Sequence, residues 1–116
     1  MQQSLLPVLM TPLGELELVN AVQLRLFRKE IRLSEARAVR AAFSADVRDG
    51  VFAMQALSQE IFVHAIRLAS RWTASIGTRS LDIVHVAAAV ALRAGMFHTF
   101  DGRQRKLARA AGLIVA

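Results

Sequence analysis

The sequence predicts a single α/β domain whose strands form a mainly parallel sheet. Short apolar segments recur along the chain, and between them lie longer segments whose apolar residues repeat at helical spacing. Apolar strands that alternate with helices are typical of α/β domains with parallel sheets. A length of 116 residues is enough for one such domain with a hydrophobic core and too short for two ordinary ones.

The first half of the chain begins with the apolar segment LLPVLM, which predicts a strand. Thr11 is a candidate N-cap and Pro12 suits a first helical turn, so a helix should run from about Pro12 to Lys29. A second helix is predicted for SEARAVRAAFSADVRDG, with Ser34 as its N-cap and Gly50 as its C-terminal stop. The segment VFAM that follows is a candidate strand.

The second half repeats this alternation of helix and strand. Ser58 begins a third predicted helix, whose apolar residues recur at helical spacing to about Thr73. A fourth helix is predicted from a cap at Ser80 to Gly95. After it, MFHTF is predicted to be a strand, DGRQRKLARAAG a short helix and LIVA the last strand.

The composition excludes several classes of function. Cysteine is absent, which removes disulfides, thiolate nucleophiles and cysteine-ligated zinc. No segment reaches the roughly 18 apolar residues of a membrane span, and the N-terminal residues lack the pattern of a signal peptide, so we expect a soluble, cytoplasmic protein. None of the H-E-x-x-H, G-x-S-x-G, G-x-G-x-x-G or P-loop motifs occurs. The net charge of +6 is compatible with a polyanionic partner such as RNA or DNA, although charge alone does not identify one. Any nucleic-acid contact should rest mainly on phosphates because aromatic residues are few.

Three carboxylates are candidate functional residues, and each has a structural alternative. Glu17 would share a helix face with mostly apolar neighbours. It is either a ligand or a residue at the rim of that face whose side chain bends out to water. Asp82 falls in the first turn of the fourth helix, where the helix dipole alone favours a negative charge. Asp101 and Gln104 match the capping box, although strand-end carboxylates also lie where parallel sheets bind ligands. If the acids converged, a hard divalent cation would offset their repulsion and activate a water against a phosphodiester.

The segments TPLGELELVNAV and TRSLDIVHVAAAVALRAGMFHTFDGRQRKLARAAGLIV resemble the PIN-domain ribonucleases, especially the VapC-like toxins of bacterial toxin-antitoxin pairs. The resemblance covers essentially the whole chain and implies a three-layer α/β/α fold with a mainly parallel sheet. It also implies an endoribonuclease that depends on Mg²⁺ or Mn²⁺ and has an antitoxin-like protein as a partner. At the positions that match the family's motifs, the resemblance implies metal binding by Glu17, Asp82 and Asp101. It implies a supporting role for Thr99 and, as a weaker candidate, for Asn20.

Basic residues near these acids are the candidate RNA-binding residues, although a solvated helix face would explain most of them equally well. They are Arg79, Arg103, Arg105 and Lys106.

One feature departs from the family pattern. PIN domains begin with an apolar strand that ends in an Asp, whereas MQQSLLPVLM contains no acidic residue and matches the strand ahead of the Glu17 helix. We therefore expect the family's first strand, first helical segment and first catalytic Asp to be missing. The loss would leave strands unpaired and favour self-association or strand exchange. Either the true protein begins upstream of Met1 or this is a degenerate or reassembled form, and the sequence leaves both open. Three functions also stay open: a metal-dependent ribonuclease, a non-catalytic PIN-like protein that binds an antitoxin-like chain or RNA, and a basic nucleic-acid-binding module without hydrolysis.

Overall fold

The fold is mixed α/β and mostly helical over residues 6–116, the part of the chain that the computed structural model describes. The prediction of helices combined with parallel strands is confirmed, with one two-stranded parallel sheet in this range. Within the same range, no helix combines the length and apolar character needed to cross a bilayer. The elements are β1 (Val8–Met10), α1 (Pro12–Phe27), α2 (Leu33–Arg48), β2 (Phe52–Met54), α3 (Gln59–Ile76), α4 (Ser80–Ala91) and α5 (Gly102–Ala110).

The chain divides into two compact units, Met1–Ala56 and Leu57–Ala116. The first unit is built on the parallel pairing of β1 with β2, in which Val8 lies opposite Phe52. Phe43 is buried on α2, and its ring centroid lies 5.2 Å from that of Phe52. This aromatic contact joins α2 to the sheet. The parallel pairing confirms the strand predicted at VFAM for its last three residues, Phe52–Met54.

Two predicted helix caps are confirmed. The Oγ1 of Thr11 accepts a hydrogen bond from the N–H of Gly14 at 3.2 Å, which begins α1. The Oγ of Ser58 accepts from the N–H of Ile61 at 3.4 Å, which begins α3. In both cases a hydroxyl side chain satisfies one of the N–H groups that have no partner within the helix.

Two other caps were predicted at the wrong residue. The N-cap of α2 is Arg32 rather than Ser34, because the side chain of Glu35 accepts the N–H of Arg32 at 3.0 Å. The N-cap of α4 is Arg79, and Ser80 is already the first helical residue. At α2 an acidic first-turn residue therefore bonds back to the N–H of the N-cap residue.

Two helices of the second unit also end at other residues than predicted. Helix α3 continues to Ile76 and stops at Gly77, whose φ of +77° is the left-handed conformation that glycine adopts without steric cost. Helix α4 ends at Ala91, short of Gly95, and Arg93 takes the left-handed position with a φ of +54°.

The strands predicted at MFHTF and LIVA are reduced to one parallel bridge, between Phe97 and Val115. Its bonds run from the N–H of Phe97 to the carbonyl of Ile114 at 2.8 Å and from the N–H of Ala116 to the carbonyl of Phe97 at 3.0 Å. The side chains of Met96 and Ile114 remain exposed. Because the pair buries little apolar surface, little favours a longer ladder.

The core of the second unit lies where α4 packs against α3 and α5. Alanines in AAAV allow the helices to approach closely, and the side chains of Val86 and Leu107 are fully enclosed. This packing places the first turns of α4 and α5 within the same compact unit. The other buried apolar residues here are Ile61, Ala65, Leu68, Ile83, Val84, Ala87, Ala88 and Ala108.

We predict that Leu107→Ala lowers the free energy of unfolding by about 2–5 kcal/mol, because the substitution leaves a cavity among enclosed side chains. The measurement is urea denaturation followed by circular dichroism. Leu81→Ala is the matched control: Leu81 is half-exposed, so the change should stay within about 0.5 kcal/mol. Equal losses for the two variants would contradict this description of the core.

Candidate functional site

An open depression of about 520 Å³ on the second unit is lined by Asp82 and Asp101 together with three cationic side chains. The N-terminal ends of α4 and α5 both contribute to it. Helix N-termini carry partial positive charge and favour anions. The lining residues are Gly77, Arg79, Asp82, Asp101, Gly102, Arg103 and Lys106.

Asp101 is the N-cap of α5. Its Oδ1 accepts hydrogen bonds from the N–H groups of Arg103 and Gln104, both at 2.9 Å. The bond from Gln104 is the largest cause that lowers the pKa of Asp101 below its ordinary 3.8. Partial desolvation opposes it, while the N–H of Arg103 and the charges of Arg103 and Arg79 lower the pKa further. The carboxylate is therefore ionised at neutral pH, with both of these bonds on one oxygen.

The reciprocal half of the predicted capping box is not formed, because Thr99 lies between the two partners. The N–H of Asp101 donates to the Oγ1 of Thr99 at 3.1 Å, and that hydroxyl donates to the Oε1 of Gln104 at 2.6 Å. The Nε2 of Gln104 donates in turn to the backbone carbonyl of Asp82 at 3.3 Å. Thr99 therefore orients the backbone of Asp101, as the sequence hypothesis allowed, and it does so together with Gln104.

The four basic candidates divide into two groups. Arg79, Arg103 and Lys106 are exposed and line the depression. Arg105 is half-buried, and its Nη2 donates to the carbonyl of Thr99 at 2.9 Å. Arg105 thus braces the segment before α5, and an RNA-binding role for it stays a prediction.

Glu17 and Asn20 lie on α1 in the first unit, where both are exposed. Their proposed roles beside Asp82 and Asp101 stay predictions. Among residues 6–116, no group of three or more His, Cys, Asp or Glu side chains is arranged to hold a metal ion.

The depression combines two kinds of ligand chemistry. Its two carboxylates are the oxygen donors that a hard divalent cation prefers, and Mg²⁺ is commonly bound by one or two carboxylates together with substrate phosphates. Its three cations outnumber these carboxylates, which favours binding of a phosphate group. The surface therefore has the chemistry to hold a phosphodiester next to a metal ion.

Gln104 is the residue whose role the sequence reasoning missed. Its position three residues after Asp101 indicated a cap, and no local signal indicates a partner 22 residues earlier in the chain. A polar residue on the buried face of a basic helix is the one available hint, since buried amides are normally hydrogen-bonded.

No protein-family model, curated protein or solved structure matches this chain. The resemblance to PIN-domain ribonucleases therefore rests on the sequence segments quoted above.

We predict that the pKa of Asp101 in the folded protein, measured by carboxyl ¹³C NMR, lies below 3.8. A group whose pKa is lowered by folding stabilises the fold above its unfolded-state pKa, and this stabilisation disappears as the pH falls through the folded-state value. Asp101→Asn keeps a capping side chain but should lose this part of the acid dependence of unfolding.

Asp49→Asn serves as the control, because Asp49 is exposed and lies outside the depression. The acid dependence of its unfolding free energy should follow that of the unmodified protein more closely than Asp101→Asn does. A folded-state pKa at or above 3.8 for Asp101 would contradict the prediction.

Proposed function

We propose that the protein is a PIN-like, VapC-type endoribonuclease that hydrolyses RNA phosphodiester bonds with Mg²⁺ or Mn²⁺. The observation that carries the proposal is the shared lining of Asp82 and Asp101, two acids singled out by sequence motif, with three cationic side chains. The proposal includes the three-layer arrangement of PIN domains and Glu17 as a third acidic ligand. Both rest on the sequence resemblance.

The carboxylates fit a hard divalent cation. Asp101 is ionised, and its two backbone bonds both end on Oδ1, so its Oδ2 would be the oxygen offered to a metal. Asp82 is half-buried in the same lining and would supply the second carboxylate. When bound, the ion would activate a water for attack on phosphorus and neutralise charge on the phosphate.

The basic side chains bind and orient the RNA backbone. The guanidinium groups of Arg79 and Arg103 can each donate two parallel hydrogen bonds to a phosphate, and Lys106 contributes a point charge. The N-terminal ends of α4 and α5 add partial positive charge on the same side. RNA binding should therefore depend steeply on salt.

We predict that the purified protein cleaves RNA when Mn²⁺ or Mg²⁺ is added and stops when the metal is chelated. Asp82→Asn and Asp101→Asn should each lower kcat/KM by more than the roughly 10–100-fold typical of losing an outer-shell partner of a metal site. The matched control is Asp49→Asn, which should cleave like the unmodified protein. Absence of cleavage with either ion, or full activity in both site variants, would refute the proposal.

The second candidate function is RNA binding without hydrolysis, by a PIN-like protein that also binds an antitoxin-like chain. The observation in its favour is the excess of cations over carboxylates in the depression. The exposed apolar side chains of Leu16 and Phe27 on α1 are compatible with a protein partner or with self-association. This function predicts metal-independent RNA binding and no cleavage.

Both candidates require the depression to contact phosphates. We predict that Arg79→Ala and Lys106→Ala weaken binding of single-stranded RNA, measured by fluorescence anisotropy in the presence of a chelator. Each should reduce the slope of log K against log salt by about 0.7, the value for one lost phosphate contact on a single strand.

Arg109→Ala is the control for this measurement, because Arg109 is exposed on the same helix but does not line the depression. Its affinity and salt slope should stay close to those of the unmodified protein. If Arg109→Ala weakened binding as much as Lys106→Ala, the contact surface would be the whole basic helix rather than the depression.

A further inference from the structure

Gln104 is a buried amide at the junction of α4 and α5. Its side chain is 8% exposed, although it belongs to a helix rich in basic, solvent-facing residues. Both ends of the amide have partners: Oε1 accepts from the hydroxyl of Thr99, and Nε2 donates to the carbonyl of Asp82. A buried amide satisfied at both ends has a fixed orientation, since rotating it would break both bonds.

The bonds made by Gln104 lead to both acidic residues of the depression. On one side, its Nε2 holds the backbone of Asp82 directly at 3.3 Å. On the other side, the hydroxyl of Thr99 joins its Oε1 to the N–H of Asp101. The N–H of Gln104 also donates to the Oδ1 of Asp101 at 2.9 Å. The Oε1, the Nε2 and the backbone N–H of Gln104 thus make hydrogen bonds that connect it to the segments that carry Asp82 and Asp101.

We propose that Gln104 is a positioning residue that sets the placement of Asp82 relative to Asp101, and thereby the geometry offered to a divalent metal ion. The inference rests on the proposed metal-dependent function of the depression. Packing alone does not require this arrangement, because the enclosed Leu107 and Ala108 already anchor α5 in the core. The amide of Gln104 adds a directional constraint, because its hydrogen bonds connect the first turn of α4 to the N-cap of α5.

We call the hydrogen bonds from Asp82 through Gln104 and Thr99 to Asp101 the relay. Three substitutions distinguish the contributions of its bonds. Gln104→Glu keeps the size of the side chain and an acceptor for Thr99 but lacks the donor to Asp82. Thr99→Val keeps the shape of Thr99 but breaks the link between Gln104 and the N–H of Asp101. Gln104→Leu breaks both sides. Gln59→Leu is the matched control, because Gln59 is exposed at the start of α3 and does not line the depression.

The first readout is Mn²⁺ affinity without RNA, measured by electron paramagnetic resonance on variants whose folding has been checked by circular dichroism. Gln104→Leu should weaken Mn²⁺ binding by about 10–100-fold, the usual cost of losing an outer-shell partner. Gln104→Glu and Thr99→Val should each weaken it by a smaller factor, and Gln59→Leu should leave it unchanged. Unchanged Mn²⁺ affinity in folded Gln104→Glu and Thr99→Val would overturn the inference, even if Gln104→Leu failed to fold.

The second readout is the division of the effect between kcat and KM for RNA cleavage. Because Gln104 does not line the depression, its replacement should lower the apparent kcat, measured at a fixed Mn²⁺ concentration below saturation, by a factor similar to the loss of Mn²⁺ affinity and leave KM for RNA nearly unchanged. A rise in KM for RNA with both kcat and Mn²⁺ affinity intact would place Gln104 in RNA binding and overturn the positioning role.

Failure of the proposed function is distinguishable from failure of this inference. If the unmodified protein binds no Mn²⁺ and cleaves no RNA, the ribonuclease proposal fails, and the relay is then tested by amide hydrogen exchange. Thr99→Val should accelerate exchange of the Asp101 N–H by about tenfold or more, because it removes the acceptor of that N–H, while Gln59→Leu should not. Unchanged protection at Asp101 would overturn the relay itself.

Discussion

The packing of α5 against α4 is the constraint on which the candidate site depends. Val86 and Leu107 are fully enclosed in this contact, so neither helix can slide or rotate without opening a cavity. The contact also brings the N-terminal ends of both helices to one depression, where each leaves N–H groups without partners in the helix. The core of the second unit thereby creates a surface that favours negative charge.

Acidic residues at this surface have a structural reason to be there before any ligand is considered. Asp82 in the first turn of α4 and Asp101 at the N-cap of α5 both complement a helix dipole. At Asp101 the two requirements are compatible, because both backbone bonds use Oδ1. Capping and metal binding are therefore not alternatives at this residue. A carboxylate that is held ionised and fixed by two N–H groups is better placed to bind a cation than a freely rotating one.

Local rules of the sequence predicted what depends on near neighbours. The caps at Thr11, Ser58 and Asp101 follow from side chains that bond within three residues, and these were confirmed. The terminal strands were overestimated, because a ladder depends on how much apolar surface the pair buries, and around Phe97 that amount is small. The relay through Gln104 could not be predicted from the sequence for a similar reason. Its partner Asp82 is distant in sequence and becomes adjacent only after α4 and α5 pack.

The balance of charge in the depression bears on which of the two candidate functions is correct. Without a metal ion, two carboxylates among three cations would partly repel an approaching phosphate, and the cations would have to overcome that repulsion. A divalent ion between the acids would reverse their effect and make the whole lining attractive to RNA. A site evolved only to bind RNA gains nothing from Asp82 beyond the helix dipole. The bond from Gln104 satisfies a buried amide and also fixes the backbone of Asp82, so under the proposed metal-dependent function it would fix the position of that carboxylate as well.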